Sequence, residues 1–85
     1  MTVLDEAQAR MLVLRALDQL GGPRAVYRSP RHPFSLAGMR TVRVDDYEVR
    51  VRYGEISSPA VAELAGFVFE IRDEELILLF APPER

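Results

Sequence analysis

Arginines are the residues of this chain best suited to bind a charged ligand, and most of them lie in its middle third. Residues 24–52 contain seven arginines and three acidic residues, whereas residues 53–85 contain two arginines and seven acidic residues. A guanidinium group binds phosphate or carboxylate oxygens through paired N–H donors. This division of charge therefore indicates an interaction surface, either for nucleic acid or for an acidic partner.

Five of these arginines are candidate partner-binding residues, because they fall on one face of a predicted β-ribbon or in the loop before it. They are Arg28, Arg31, Arg43, Arg50 and Arg52. Glu48 is predicted to lie opposite Arg43 and to form a cross-strand ion pair with it. The chain has a net charge of −2, whereas nucleic-acid-binding domains are usually basic. We therefore expect an acidic protein surface as the partner, with weak binding to nucleic-acid phosphates as the alternative.

The sequence contains few residues that could form a catalytic or metal-binding site. The chain has one histidine and no cysteine, which excludes thiolate metal sites and disulfides. His32 has only serines near it in sequence, and these do not make a nucleophile–base–acid arrangement. The acidic cluster of Glu70, Asp73, Glu74 and Glu75 lacks the ligand spacing of a calcium-binding loop. We expect a non-catalytic protein that binds no metal and no cofactor.

Length and composition are typical of one small globular domain spanning residues 1–85. Hydrophobic residues make up 48% of the chain and charged residues 28%, a mixture found in folded proteins. No apolar run approaches the roughly 20 residues needed to cross a bilayer. Acidic residues near the N-terminus do not fit the basic segment of a secretory signal. We expect a cytoplasmic protein.

The first element is predicted to be a helix over residues 4–20. Its apolar residues recur at helical spacing, and Val13 and Leu20 widen the stripe that they form. The stripe consists of Leu4, Ala7, Met11, Leu14 and Leu17. Thr2 is the predicted N-cap. The helix should end at Gly21-Gly22-Pro23, because glycine accepts a left-handed conformation and proline cannot continue a helix.

Two strands joined by a tight turn are the clearest pattern in the chain. Apolar residues alternate on both sides of Asp45-Asp46, and the phase of the alternation changes by one residue there. A two-residue hairpin loop explains the change, because the residues that flank it share a face. The predicted pairs are Val44 with Tyr47, Val42 with Val49, and Arg40 with Val51. A single bulged strand is the alternative.

Shorter segments flank this ribbon. Residues 25–28 are predicted to form a short strand, and residues 29–38, which contain two prolines and a glycine, are predicted to form a loop. After the ribbon, Ser57-Ser58-Pro59 predicts a helix start, with a short helix from 59 to 65 that ends at Gly66. The alternative extends this helix through Ile71.

A second hairpin is predicted over residues 67–80, with its turn at Asp73-Glu74. One face carries six apolar residues that should belong to the core: Phe67, Phe69, Ile71, Leu76, Leu78 and Phe80. The opposite face is also apolar, through Val68, Ile77 and Leu79. Exposed apolar patches mark interfaces, so we interpret these three residues as a self-association surface. Cover by another part of the same chain is the alternative.

Together these elements predict an α+β fold. We expect an antiparallel sheet of four to five strands, containing two hairpins, with an N-terminal helix and a short second helix packed on it. The expected function is that of a protein-binding homodimer with an arginine-rich surface.

Overall fold

The described part of the chain forms two helices followed by a five-stranded sheet. A computed structural model describes residues 4–27, 39–54 and 58–83. The elements are α1 (Glu6–Gln19), α2 (Pro23–Tyr27), β1 (Met39–Val44), β2 (Tyr47–Arg52), β3 (Ala60–Leu64), β4 (Phe67–Arg72) and β5 (Glu75–Phe80). Each strand pairs antiparallel with the next, in the order β1-β2-β3-β4-β5. The predicted α+β class is confirmed, although its second helix lies elsewhere in the chain than expected.

Both helices pack on one side of the sheet, which we call the covered face. α1 contacts β1, β2 and β3, and α2 contacts β4. The sheet side of this core consists of Val42, Val44, Val49, Val51, Ala60, Ala62, Leu64, Phe67, Phe69, Ile71 and Leu76. No described element lies over the opposite side, which we call the outer face. The core is therefore a single layer of apolar side chains between the helices and the sheet.

α1 begins with a capping box at Asp5, not at Thr2 as the sequence suggested. The Asp5 carboxylate accepts a hydrogen bond from the backbone N–H of Gln8 at 2.8 Å, and the Gln8 side-chain oxygen accepts one from the Asp5 N–H at 3.2 Å. This reciprocal pair satisfies two amides that the helix start would otherwise leave without partners. Thr2 itself lies outside the described residues.

The predicted end of α1 at Gly21-Gly22 is confirmed. The N–H of Gly22 donates to the carbonyl of Leu17 at 2.8 Å, and the N–H of Gly21 donates to that of Asp18 at 3.2 Å. These two bonds make a Schellman motif, which requires a residue with positive φ after the helix. Gly21 supplies it, with φ at 103°.

The buried stripe of α1 differs from the predicted one. It consists of Ala9, Leu12, Val13, Ala16 and Leu17. Of the predicted residues, Leu17 and Val13 are buried as expected, whereas Ala7, Met11 and Leu14 are exposed and Leu4 is half-buried. Both sets have helical spacing, so periodicity alone could not choose between them. The position of the sheet decides which set is covered.

The strand predicted over residues 25–28 is wrong, because residues 23–27 form α2. Pro23 occupies the first helical position, where its missing N–H costs nothing. Val26 is fully buried, and its carbonyl accepts a hydrogen bond from the N–H of Gly54 at 3.1 Å. A Cβ on Gly54 would come within 2.8 Å of the Tyr27 carbonyl oxygen. Contact with the residues after β2 thus fixes the end of a helix too short to be stable alone.

The hairpin over β1 and β2 is confirmed in detail. Val44 pairs with Tyr47, Val42 with Val49, and Arg40 with Val51. The turn at Asp45-Asp46 has a positive φ of 56° at Asp45, as in the turns that match strand twist. The alternative of one bulged strand is therefore wrong.

The helix predicted over residues 59–65 is also wrong, because residues 60–64 form β3, the central strand. Buried and more exposed residues alternate along it, with Ala60, Ala62 and Leu64 on the covered face. The turn Ala65-Gly66 has positive φ at both residues, 49° and 90°, which is the pattern of a type I′ hairpin. Residues 59–71 therefore form neither of the two predicted arrangements.

The hairpin over β4 and β5 is confirmed near its turn but not at its far end. Ile71 pairs with Leu76 and Phe69 with Leu78, as predicted. A bulge then shifts the register, so that Phe80 pairs with Val68 instead of Phe67. An extra residue in one strand moves every later side chain to the other face. Phe80 is consequently 58% exposed, not part of the core.

Candidate interaction surface

The outer face is organised into two rows that cross all five strands. One row consists of Thr41, Arg50, Glu63, Val68 and Phe80. The next row consists of Met39, Arg52, Val61, Glu70 and Ile77. Because register partners face the same side of a sheet, each row brings together residues far apart in sequence. The candidate interaction surface is this face.

Three of the five candidate arginines lie on the outer face, at its β1–β2 side. Arg43, Arg50 and Arg52 are all exposed. The predicted ion pair is present, with the Arg43 guanidinium 3.2 Å from the Glu48 carboxylate. Among the described residues, no carboxylate lies within 4.0 Å of the guanidinium of Arg50 or Arg52.

The other two candidate arginines, Arg28 and Arg31, lie outside the described residues, as do His32 and the loop predicted over 29–38. The structure therefore brings together the arginines of the ribbon alone. Their common surface comes from the alternation of residues along β1 and β2.

Acidic residues occupy the next two strands of the outer face. Glu63 on β3 is the register partner of Arg50. Glu70 on β4 is half-buried and accepts two hydrogen bonds from the guanidinium of Arg72, at 3.1 and 3.3 Å. With Glu48 on β2 and Glu75 on β5, the outer face has four glutamates against four arginines. Its charges balance, but most of the arginines lie at one side.

The acidic turn of the second hairpin lies away from these rows, beside α2. Arg24 approaches the carboxylates of Asp73 at 3.4 Å and Glu74 at 3.7 Å, and all three side chains are largely exposed. Among the described residues, no three His, Cys, Asp or Glu side chains come together as metal ligands. The interpretation of this turn as a solvated charged surface agrees with these distances.

Apolar side chains dominate the β4–β5 side of the outer face. Val68 and Ile77, two of the three predicted self-association residues, are half-buried there. Leu79, the third, is the unpaired residue of the bulge and is 53% exposed. Phe80 joins this group because of the shifted register, and sequence reasoning missed it. No glycine or other signal in β5 indicated a bulge.

A second exposed apolar surface lies on α1, on the side turned away from the sheet. Met11 is 58% exposed and Leu14 is 41% exposed. They line an open groove together with Ala7, Arg10 and neighbouring acidic residues. Neither of the described helices has the length and apolar character needed to cross a membrane.

Comparison of the chain with protein-family models, with curated proteins and with solved structures finds no match.

Proposed function

We propose that this chain is a small, non-catalytic, cytoplasmic protein-binding module that associates with a second copy of itself through the outer face. The observation that supports this most strongly is the separation of charge and apolar surface across the strands. On β1 and β2 the outer face has three arginines and one glutamate, and on β3, β4 and β5 it has three glutamates and one arginine. Two of its three exposed large apolar residues, Leu79 and Phe80, lie on β5. Such a face is complementary to another copy of itself, as an isologous interface requires.

The apolar part of the face supports protein binding. Phe80 and Leu79 on β5 and Met39 on β1 are each about half exposed, at 58%, 53% and 47%. Leu79 and Phe80 form an exposed apolar patch at the β5 edge, whereas Met39 lies at the opposite edge of the sheet. Large apolar side chains beside charged residues are typical of protein interfaces. A second copy would remove this surface from water, at roughly 25 cal/mol for each square ångström of apolar area buried.

The charge balance of the face favours a protein partner over nucleic acid. Phosphate binding needs a surface with excess positive charge, because its affinity comes from neutralised phosphates. Here Glu63 is the register partner of Arg50, and Glu48 is paired with Arg43. A backbone phosphate at the arginines would therefore also approach carboxylates. The absence of cysteine also suits a cytoplasmic protein, since small secreted domains usually contain disulfides.

The dimensions of the face predict a weak dimer. Five strands spaced about 4.8 Å apart and about 20 Å long span roughly 480 Å² in each copy. The two copies would then bury about 1,000 Å², near the lower limit of specific interfaces. We expect a dissociation constant in the micromolar range.

The test is the mass in solution, measured by sedimentation equilibrium from about 1 μM to about 1 mM, a range that spans the expected constant. We expect a reversible monomer–dimer equilibrium that Phe80→Glu shifts to monomer. Met11→Glu is the matched control, because Met11 is also 58% exposed but lies on α1. Thermal melts should show that both variants fold.

Two results would overturn the proposal. One is a monomer at the highest concentration; the other is equal dissociation by Phe80→Glu and Met11→Glu. A gel mobility shift with single- or double-stranded probes at low salt, abolished by Arg50→Glu and Arg52→Glu, would instead support the nucleic-acid alternative.

A further inference from the structure

We infer that in this dimer the two-fold axis runs parallel to the strands beneath β3, so that β2 of one copy lies across β4 of the other. This orientation rests on the proposed self-association and specifies its geometry. It is decided by the order of side chains across the strands.

Two sheets that pack face to face with their strands aligned can be related by a two-fold axis in either of two directions within the interface. An axis parallel to the strands exchanges the two sides of the sheet, so that β1 faces β5 and β2 faces β4. An axis perpendicular to the strands leaves each strand facing its own copy. The first places unlike strands together, and the second places like strands together.

In the row that contains Arg52, the parallel axis places complementary side chains opposite each other. Arg52 on β2 faces Glu70 of the partner on β4, because both belong to the same row. Met39 on β1 faces Ile77 of the partner on β5, since these residues end that row. Val61, in the middle of the row, faces its own copy on the axis. Each charged or apolar side chain in this row therefore meets a suitable partner.

Sheet twist does not disturb this match near the axis. Aligned sheets pack at about 30° to each other. At one strand from the axis, about 4.8 Å, this rotation displaces facing residues by about 2.5 Å along the strands. Arginine and glutamate side chains are long enough to cover this displacement.

The perpendicular axis is unfavourable because it brings the arginines of β2 together. Arg50 and Arg52 of one copy would face the same two residues of the other. Among the described residues, neither guanidinium has a carboxylate within 4.0 Å. Like charges placed together at an interface select against that arrangement.

In the row that contains Arg50, the parallel axis places Thr41 opposite Phe80 of the partner and Arg50 opposite Val68 of the partner. The residue of this row that meets a like charge is Glu63. It lies on β3, so it faces Glu63 of the partner across the axis. Arg50 is its register partner on β2 and therefore lies one strand away in each copy. The two arginines and two glutamates form a balanced group at the centre of the interface.

The test is a charge-reversal cycle measured by sedimentation equilibrium. Arg52→Glu places a carboxylate against Glu70 of the partner, and Glu70→Arg places a guanidinium against Arg52. Each change occurs twice in the dimer, so we expect each to raise the dissociation constant at least tenfold. The double variant restores the attraction with reversed sign, and its constant should return to within about threefold of the wild-type value.

A milder cycle covers the case in which Glu70→Arg does not fold, since Glu70 is half-buried beside Arg72. In that cycle Arg52→Gln and Glu70→Gln replace the reversals, and the double variant should lose less affinity than the two single losses combined. Thermal melts identify the variants that are folded.

The outcomes separate this inference from the proposal beneath it. A wild-type chain that stays monomeric would overturn the self-association itself. A wild-type dimer that Arg52→Glu tightens would overturn the parallel axis, because the new carboxylate would then face Arg50 of the partner. Two further results would overturn the parallel axis. One is a dissociation constant that neither single variant changes. The other is a double variant whose loss of binding free energy equals the sum of the two single losses.

Discussion

The covered face and the outer face come from the same five strands but differ in almost every physical property. Among the described residues, none that is buried on the covered face is polar or charged, and the core includes Phe69, Val49 and Val51 at 0% exposure. The outer face has four arginines, four glutamates and apolar residues that remain half-buried or exposed. Alternation along each strand separates the two sets. The comparison indicates that folding depends mainly on the covered face, because the described helices pack on that face alone.

The largest expected effect is a loss of folding stability when a phenylalanine of the covered face is replaced. A phenylalanine of the outer face on the neighbouring strand is the matched comparison. Phe69→Ala should reduce the free energy of unfolding by about 3–5 kcal/mol, because Phe69 is fully buried and its removal leaves a cavity. Phe80→Ala should reduce it by less than about 1 kcal/mol, because Phe80 is mostly exposed. Urea unfolding at low micromolar concentration measures both, so that association contributes little.

Equal losses in these two variants would mean that Phe80 belongs to the core, as the uninterrupted hairpin register predicted. Such a result would refute both the bulge at Leu79 and the position of Phe80 in the apolar group of the outer face.

A smaller effect is expected where α1 meets the edge strand β5. Arg10 donates a hydrogen bond to the Leu76 carbonyl at 2.6 Å, pairs with Glu6 at 2.6 Å, and lies 5.2 Å from the centre of the Phe69 ring. Arg10→Met keeps the aliphatic stem but removes these contacts. We expect a loss of about 1–2 kcal/mol in the free energy of unfolding.

Arg15→Met is the control for this prediction. Arg15 lies on the same helix, and its ion pair with Asp45 at 3.4 Å is more than half exposed on both sides. Exposed pairs contribute at most about 1 kcal/mol and often nothing measurable. If thermal or urea unfolding showed equal losses for the two arginines, the special role of Arg10 at the β5 edge would be refuted. Arg10 also blocks one carbonyl of that edge against pairing with another chain.

The smallest expected effect concerns the turn between β3 and β4, which belongs to neither face. Ala65 has a φ of 49° and precedes Gly66 in a two-residue loop. Asparagine tolerates this conformation better than alanine, so Ala65→Asn should stabilise the protein by about 0.5–1 kcal/mol. Ala65→Val should destabilise it, because a β-branched residue is disfavoured at positive φ. A change of the same sign in both melting temperatures would contradict this explanation.

The sequence predicted those elements whose signal is local and strongly periodic. The β1–β2 hairpin was predicted to the residue pair, because a two-residue turn at Asp45-Asp46 explains the change of phase between adjacent residues. The end of α1 at Gly21-Gly22 was predicted because the residues that make the motif are adjacent. The outward position of Arg43, Arg50 and Arg52 followed from the hairpin register. Four of the five strands of the candidate surface, β1, β2, β4 and β5, were predicted as strands from the sequence.

The errors occurred where local preference and tertiary contact disagreed. Residues 60–64 combine two alanines with a leucine and a glutamate, which favour a helix, but pairing with β2 and β4 on both sides makes them a strand. Val26 and Tyr27 favour a strand, but their contact with Gly54 holds them in a helix. In both cases the decisive partner lies at least several residues away in sequence.

By itself, the sequence determined the class of the fold, the β1–β2 hairpin with its register, and the charge of the strands, because these depend on residue order over short distances. Only the tertiary structure decided which stripe of α1 is buried, that residues 60–64 form the central strand, and that Phe80 lies on the outer face. These features depend on contacts between distant segments, whose free energy exceeds the small differences in local propensity. The arrangement of arginines, glutamates and apolar residues in rows exists only once all five strands are in register.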